Sequence, residues 1–306
     1  MRFNPKASSD GGQTSRRTGG GGGGGGIGLP GLGGRGGGRL TIGGVVAAGL
    51  LYLVAQLTGV DMSGLTGDGG GDQTGSDVRC TGAEANKSET DDCAISLLTT
   101  SIQDYWNTTF AEQGLGSYDR AQTIIFAGGT SSGCGAAQSA MGPFYCPNDA
   151  RVYIDTDFMD DMLEGDLGAQ GGTFALAYVM AHEYGHHVQD LLGYLSRIRT
   201  QQGPKSDSVR SELMADCLGG MWAKGAQETR DAEGNTIIEG LTEDDIARAI
   251  DAATAVGDDR IQKAGGGRVD SESWTHGSSK QRARWFNIGL EKGSFQACDT
   301  FRAGAL

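Results

Sequence analysis

Long hydrophobic runs are nearly absent from this 306-residue chain, and only residues 40–60 are uncharged and mostly apolar over a membrane-spanning length. One such run of roughly 20 residues excludes a polytopic membrane protein. The 55 glycines lack a period of three, which excludes collagen. Positive charge is also scarce, with 25 Lys and Arg against 38 Asp and Glu, a net of −13. Residues 1–39 hold six basic residues and one acid, a net of +5, so residues 40–306 carry −18. A body of that sign repels phosphate backbones, so nucleic acid is excluded as a partner. Histidine is rarer still, with four in the whole chain, and there is no internal repeat.

What is present divides the chain into four parts. Residues 1–39, with eight consecutive glycines at 19–26, read as a disordered Gly-rich cytoplasmic tail, because ordering glycine loses the most chain entropy. Residues 40–60 read as a transmembrane anchor, moderated by Gly43, Gly44 and Gly49. A cleaved signal peptide fits poorly, since the leader is long and no small-x-small site follows. Residues 61–77 read as a flexible linker and residues 78–306 as one domain. The basic excess before the run places the N-terminus in the cytoplasm, with the body outside the cell membrane on a single-pass anchor. All six cysteines follow the run, which agrees with export to an oxidising compartment. Local spacing pairs Cys80 with Cys93 and Cys134 with Cys146, leaving Cys217 with Cys298.

Within residues 78–306 the pattern predicts an α+β fold, mainly helical with a small sheet. Ser88 and Asp91 resemble a capping box ahead of a helix running to about Ala111, with Leu98, Ile102, Trp106 and Phe110 on one face. Strands are expected at 122–126 and 151–155. Further helices are expected at 157–163, 173–192, 206–228, 242–256 and 278–290.

Three of the four histidines fall in His182-Glu183-Tyr184-Gly185-His186-His187, inside the apolar helix expected at 173–192. His182 and His186 are four apart, so their rings stack on one helix face and both can reach one zinc ion. Glu183, beside the first ligand, is the type of group that takes a proton from zinc-activated water in peptide hydrolysis. A metzincin would continue with Gly and His where this chain has Gln189 and Leu192, so that class is excluded. The third ligand is instead expected from the next long helix, where Glu212 and Asp216 lie four apart among Leu213, Met214, Ala215 and Leu218. Glu212 completes the ligand set there, and Asp216 accepts from the far ring nitrogen of a ligating histidine.

With those residues in view, the chain resembles the bacterial family of neutral zinc metallopeptidases, a gluzincin-type group. The resemblance rests on the segments 134–146, 152–155, 182–189, 211–217 and 275–279 and covers roughly residues 80–298. It implies a zinc peptidase with His182, His186 and Glu212 as ligands, Glu183 as base, and often a single N-terminal anchor. The spare histidine, His276, is a candidate donor to the tetrahedral oxyanion. Tyr184 and His187 point off the ligand face, and Arg282 and Arg284 read as structural. The strand at 151–155 is a candidate edge for pairing with an extended peptide substrate. The competing reading is a non-proteolytic zinc-binding envelope scaffold or assembly protein, against which an intact Glu183 argues.

Overall fold

The computed structural model describes residues 1–17, 75–88, 90–138 and 141–306. The fold is α+β, with small sheets against a larger body of helices. In chain order come β1 (Arg2–Phe3), β2 (Thr14–Arg16), β3 (Ser76–Asp77), α1 (Gly82–Ala85) and α2 (Asp92–Gln113). Then follow β4 (Gln122–Phe126), β5 (Gly129–Ser132), β6 (Gly135–Gln138), β7 (Phe144–Cys146), β8 (Arg151–Asp155) and a π-helical stretch at Phe158–Asp166. The C-terminal half holds α3 (Thr173–Leu191), α4 (Asp207–Gly225), β9 (Ile238–Glu239), α5 (Glu243–Ala255), α6 (Asp258–Ala264), α7 (Ser279–Lys292) and α8 (Phe295–Cys298).

The principal sheet has the order β3-β2-β4-β8-β7, with β2, β4 and β8 parallel and the outer strands antiparallel. Its central strands β4 and β8 are largely apolar and are buried over Thr123–Phe126 and Val152–Asp155, because helices cover them. Thr123 on β4 joins the layers, its hydroxyl lying 2.9 Å from Thr99 Oγ1 of α2 and 2.8 Å from Tyr184 Oη of α3.

Several expectations are corrected. Residues 1–17 do not form a disordered tail: Phe3 and Ala7 are buried, β1 pairs with β9, and β2 lies inside the principal sheet. The folded unit therefore begins before residue 78 and includes β3, at the end of the expected linker. Residues 18–74, which hold the expected anchor at 40–60, lie outside the described residues. Among the described residues no helix is long and apolar enough to cross a membrane. The strand at 151–155 is not an edge, since β8 has β4 on one side and β7 on the other. Helix α2 starts one turn later than a Ser88 cap implies. Asp91 takes the cap position, while the Ser88 hydroxyl is engaged with Thr90. The helix expected at 157–163 is the π-helical stretch.

All three disulfides have the expected pairing, Cys80–Cys93, Cys134–Cys146 and Cys217–Cys298. The second ties the β5–β6 turn to β7, and the third ties α4 to α8.

Candidate metal centre

Helix α3 is buried continuously from Phe174 to Gln189, which is why its polar residues must find partners inside the protein. Helix α4 is capped by Ser206, whose hydroxyl accepts from Val209 N–H, and is buried from Ser208 to Ala223 except at Arg210. The two helices meet backbone to backbone at Gly185, between the two histidines. A Cβ there would stand 2.9 Å from the Ala215 carbonyl oxygen. Any larger residue would push α4 away and take Glu212 and Asp216 with it. Helix α7 closes on the other side of α4 through Gly289, where a Cβ would overlap the Cys217 carbonyl oxygen at 1.8 Å.

This packing brings His182, His186 and Glu212 together with all three ligand atoms within 4.8 Å of one another. Glu212 Oε2 lies 3.2 Å from His182 Nε2, and Glu212 Oε1 lies 3.4 Å from His186 Nε2. Ligand bonds of about 2.1 Å at a tetrahedral angle put neighbouring donors about 3.4 Å apart, so these separations suit zinc. The donor chemistry agrees, because each histidine has its other nitrogen committed elsewhere. His182 Nδ1 donates to Asp216 Oδ1 at 2.9 Å, since a carboxylate only accepts. Gln189 Nε2 donates to the Ser211 carbonyl at 2.7 Å, which turns Gln189 Oε1 toward His186 Nδ1 at 3.0 Å. His186 Nδ1 therefore carries the proton too. In the neutral ring form that binds a metal, both Nε2 atoms present lone pairs to the same group of ligand atoms.

Asp216 is fully buried and held from three directions. Tyr178 Oη donates to Oδ1 at 2.7 Å, and the Arg282 guanidinium grips both oxygens at 2.8 and 2.9 Å. Burial works against its charge, but Arg282 and His182 outweigh that and hold its pKa at about 2. Burial likewise opposes ionisation of Glu212, yet the two histidines keep its carboxyl well below the usual range. For His182 burial favours the neutral ring, but Asp216 and Glu212 prevail and raise its pKa to about 9. The carboxylates that attract a proton there attract a cation equally.

Glu183 is buried beside this group, and burial raises its carboxyl pKa above the ordinary value against the pull of His182 and His186. It accepts the backbone N–H of Tyr145, which sits on β7 at the sheet edge. Tyr184 and His187 face away from the ligand group. Tyr184 reaches β4, and His187 lies between Tyr145 Oη at 3.1 Å and the Asp119 carbonyl at 2.7 Å.

His276 is outside the three-ligand group but close to it. Its loop packs on α4, with Gly277 against Val209 and Leu213 on the turn that carries Glu212. Asp258 fixes the ring, with Oδ1 3.1 Å from Nδ1, while Oδ2 accepts the N–H groups of Thr275, His276 and Gly277. Burial opposes that charge, but His276 and the N–H groups hold Asp258 below the usual carboxylate range.

Four supporting residues escape a reading of the sequence as ligands alone. Tyr178 and Gln189 share the ligand face of α3 by spacing, at four before His182 and three after His186, and a buried Gln there is a readable signal. Arg282 and Asp258 carry no such signal, because helix packing across long sequence separations brings them in.

The profile of the family described as "Putative neutral zinc metallopeptidase" matches residues 1–301. An uncharacterized protein of Mycobacterium tuberculosis (strain H37Rv) is 44% identical over 228 residues, covering 74% of this chain and 75% of its own. The uncharacterized protein YpfJ of Escherichia coli K12 is 39% identical over 311 residues, covering 98% of this chain and 99% of its own. No solved structure matches. With a matching profile over nearly its whole length and the His-His-Glu group to hold the metal, the chain belongs to the neutral zinc metallopeptidase family.

Proposed function

We propose that this protein is a zinc-dependent endopeptidase in which His182, His186 and Glu212 hold the metal and Glu183 is the general base. The observation that carries the reading is Glu183, a buried carboxylate beside two lone-pair-presenting histidines and a third, anionic ligand. A purely structural site has no use for such a base.

Zinc held by this trio supplies Lewis acidity, which makes water a nucleophile at neutral pH and polarises the peptide carbonyl. The chain's own groups do the rest. The Glu183 carboxylate takes the proton of the attacking water and passes it to the leaving amine nitrogen. The Tyr145 N–H restrains that carboxylate from the sheet side. His276, oriented by Asp258 through Nδ1, directs Nε2 at the developing oxyanion. Asp216, Gln189 and their partners keep both ligating rings in the required tautomer.

The substrate class is protein or peptide. The three disulfides support work in an oxidising compartment outside the cytoplasm. The test is casein cleavage by the purified full chain, loaded with zinc and then stripped by chelator. Activity that follows zinc and disappears in His276→Ala with zinc retained supports the assignment. A fully zinc-loaded chain that cleaves no protein or peptide points to the scaffold reading instead.

A further inference from the structure

The chain leaves the principal sheet after Arg17 and returns to it at Gly75, and the two points are side by side. Ser15 faces Asp77 and Arg16 faces Ser76 in the β2–β3 ladder. A Cβ on Gly75 would touch the Ser15 hydroxyl at 3.0 Å. On its other side β2 is parallel to β4, with Thr14, Ser15 and Arg16 opposite Thr123, Ile124 and Ile125. The pairing continues one residue further, where Arg17 N–H donates to the Ile125 carbonyl at 2.8 Å. The Arg17 guanidinium then reaches the Ser131 carbonyl at 2.6 Å.

The residues before β2 are equally committed to the domain. Phe3 is 3% exposed and Ala7 fully buried. Asn4 N–H donates to the Ile237 carbonyl, and Ser8 N–H to Asp231. Ser9 and Cys80 exchange two bonds of 2.9 Å, so the N-terminal segment is fastened directly to one half of the Cys80–Cys93 disulfide.

A membrane imposes parity on such a path. A chain that leaves one sheet and rejoins it crosses a bilayer an even number of times or not at all. One crossing takes roughly 20 apolar residues, and residues 40–60 supply one such run. A single span there would put β2 on the opposite side from β3 and β4. It would strip both ladders and expose Phe3 and Ala7 to water.

We infer that residues 1–17 and the metal centre share one compartment, so that a cytoplasmic N-terminus does not go with an exported domain. Wherever the Cys80–Cys93 disulfide forms, the N-terminus is there with it. This follows from the strand pairing alone and is independent of the peptidase reading.

The test uses the full chain in bacterial cells and two variants that each add one cysteine, Arg2→Cys and Lys280→Cys, at exposed positions on the N-terminal strand and on α7. The six native cysteines are all disulfide-bonded and do not compete for a maleimide. A membrane-impermeant maleimide applied to spheroplasts, and separately to inverted vesicles, is expected to label both variants from the same side. Labelling from opposite sides overturns the inference. A second measurement reads the pairing itself in the double variant Ser15→Cys/Asp77→Cys. Val78 N–H donates to the Thr14 carbonyl, so Ser15 and Asp77 form the adjacent non-hydrogen-bonded pair. The Cα separation of such a pair, about 4.5 Å, lies within disulfide range. Mass mapping should find a fourth disulfide joining residues 15 and 77. Two free thiols there, with the three native bonds intact, overturn the inference as well.

Discussion

The two histidines of the centre do the same job with opposite support. His182 leans on charge: Asp216 accepts the hydrogen bond from its Nδ1–H, Arg282 from α7 neutralises Asp216, and Tyr178 helps fix it. His186 leans on neutral groups: Gln189 Oε1 accepts the hydrogen bond from its Nδ1–H, and Ser211 holds Gln189 through both its hydroxyl and its carbonyl. An ionised acceptor makes a ring more basic and a better ligand, but its burial is tolerable only with a counter-charge. A neutral acceptor gives less and needs less. The charged side therefore requires a third helix, while the neutral side is completed by the two helices that carry the ligands.

The largest effect comes from removing what both sides share. Glu212 bridges the two Nε2 atoms, and without it two histidines remain where a catalytic zinc site normally has three protein ligands. Glu212→Ala should lose zinc on dialysis and lose all cleavage, whichever side is intact. Metal analysis of the purified full chain checks this, and one tightly retained zinc per chain would refute the ligand set. Glu183→Gln leaves both supports and all three ligands in place. It should keep zinc and lower turnover by about 10²–10⁴-fold. Unchanged turnover would remove Glu183 from the mechanism.

The charged side should break harder than the neutral one. Asp216→Ala takes from the Arg282 guanidinium, itself 3% exposed, its two closest ion contacts and leaves it only Glu212 Oε2 at 3.8 Å. Loss of one partner of a buried ion pair costs about 3–5 kcal/mol. Zinc affinity should fall about 10–100-fold, as is usual when the acceptor behind a ligating histidine is lost. The comparison sharpens in Asp216→Leu/Arg282→Met, which removes both charges. Thermal unfolding should show part of the stability returned, and zinc titration should show none of the affinity returned. Recovery of both together would mean that Asp216 acts on the metal only through the fold.

The same contrast separates what the sequence carried from what it did not. Helix α3 was legible because the apolar run Phe174–Ala181 leads directly into two histidines one turn apart. Glu212 was legible because an acid pair sat among Leu213, Met214 and Leu218. Strands β4 and β8 were legible from their apolar character. By contrast, β2 has three residues in a polar, Gly-flanked segment, and its partners are β3 and β4, far along the chain. A strand so short has no period to read. The interior position of β8 and the arrival of Arg282 at Asp216 are likewise products of packing order, which local pattern does not encode.

The smallest effect is expected on the neutral side, and it tests whether that side matters at all. In Gln189→Leu the side chain keeps its bulk and burial but loses every polar contact. His186 Nδ1–H, the Ser211 hydroxyl and the Ser211 carbonyl all lose the partner that Gln189 supplied. Unsatisfied buried groups cost about 1–3 kcal/mol, with no stranded charge to add to it. The His186 ring then has no acceptor to fix its tautomer, so a share of the population presents Nε2–H rather than a lone pair to the metal. Zinc affinity should fall by roughly tenfold, at the low end of such losses and below that of Asp216→Ala. Turnover of the zinc-saturated variant should fall less than in Glu183→Gln. If Gln189→Leu weakens zinc as much as Asp216→Ala, the two supports are energetically equal, and the counter-charge that α7 brings to His182 adds nothing to metal binding.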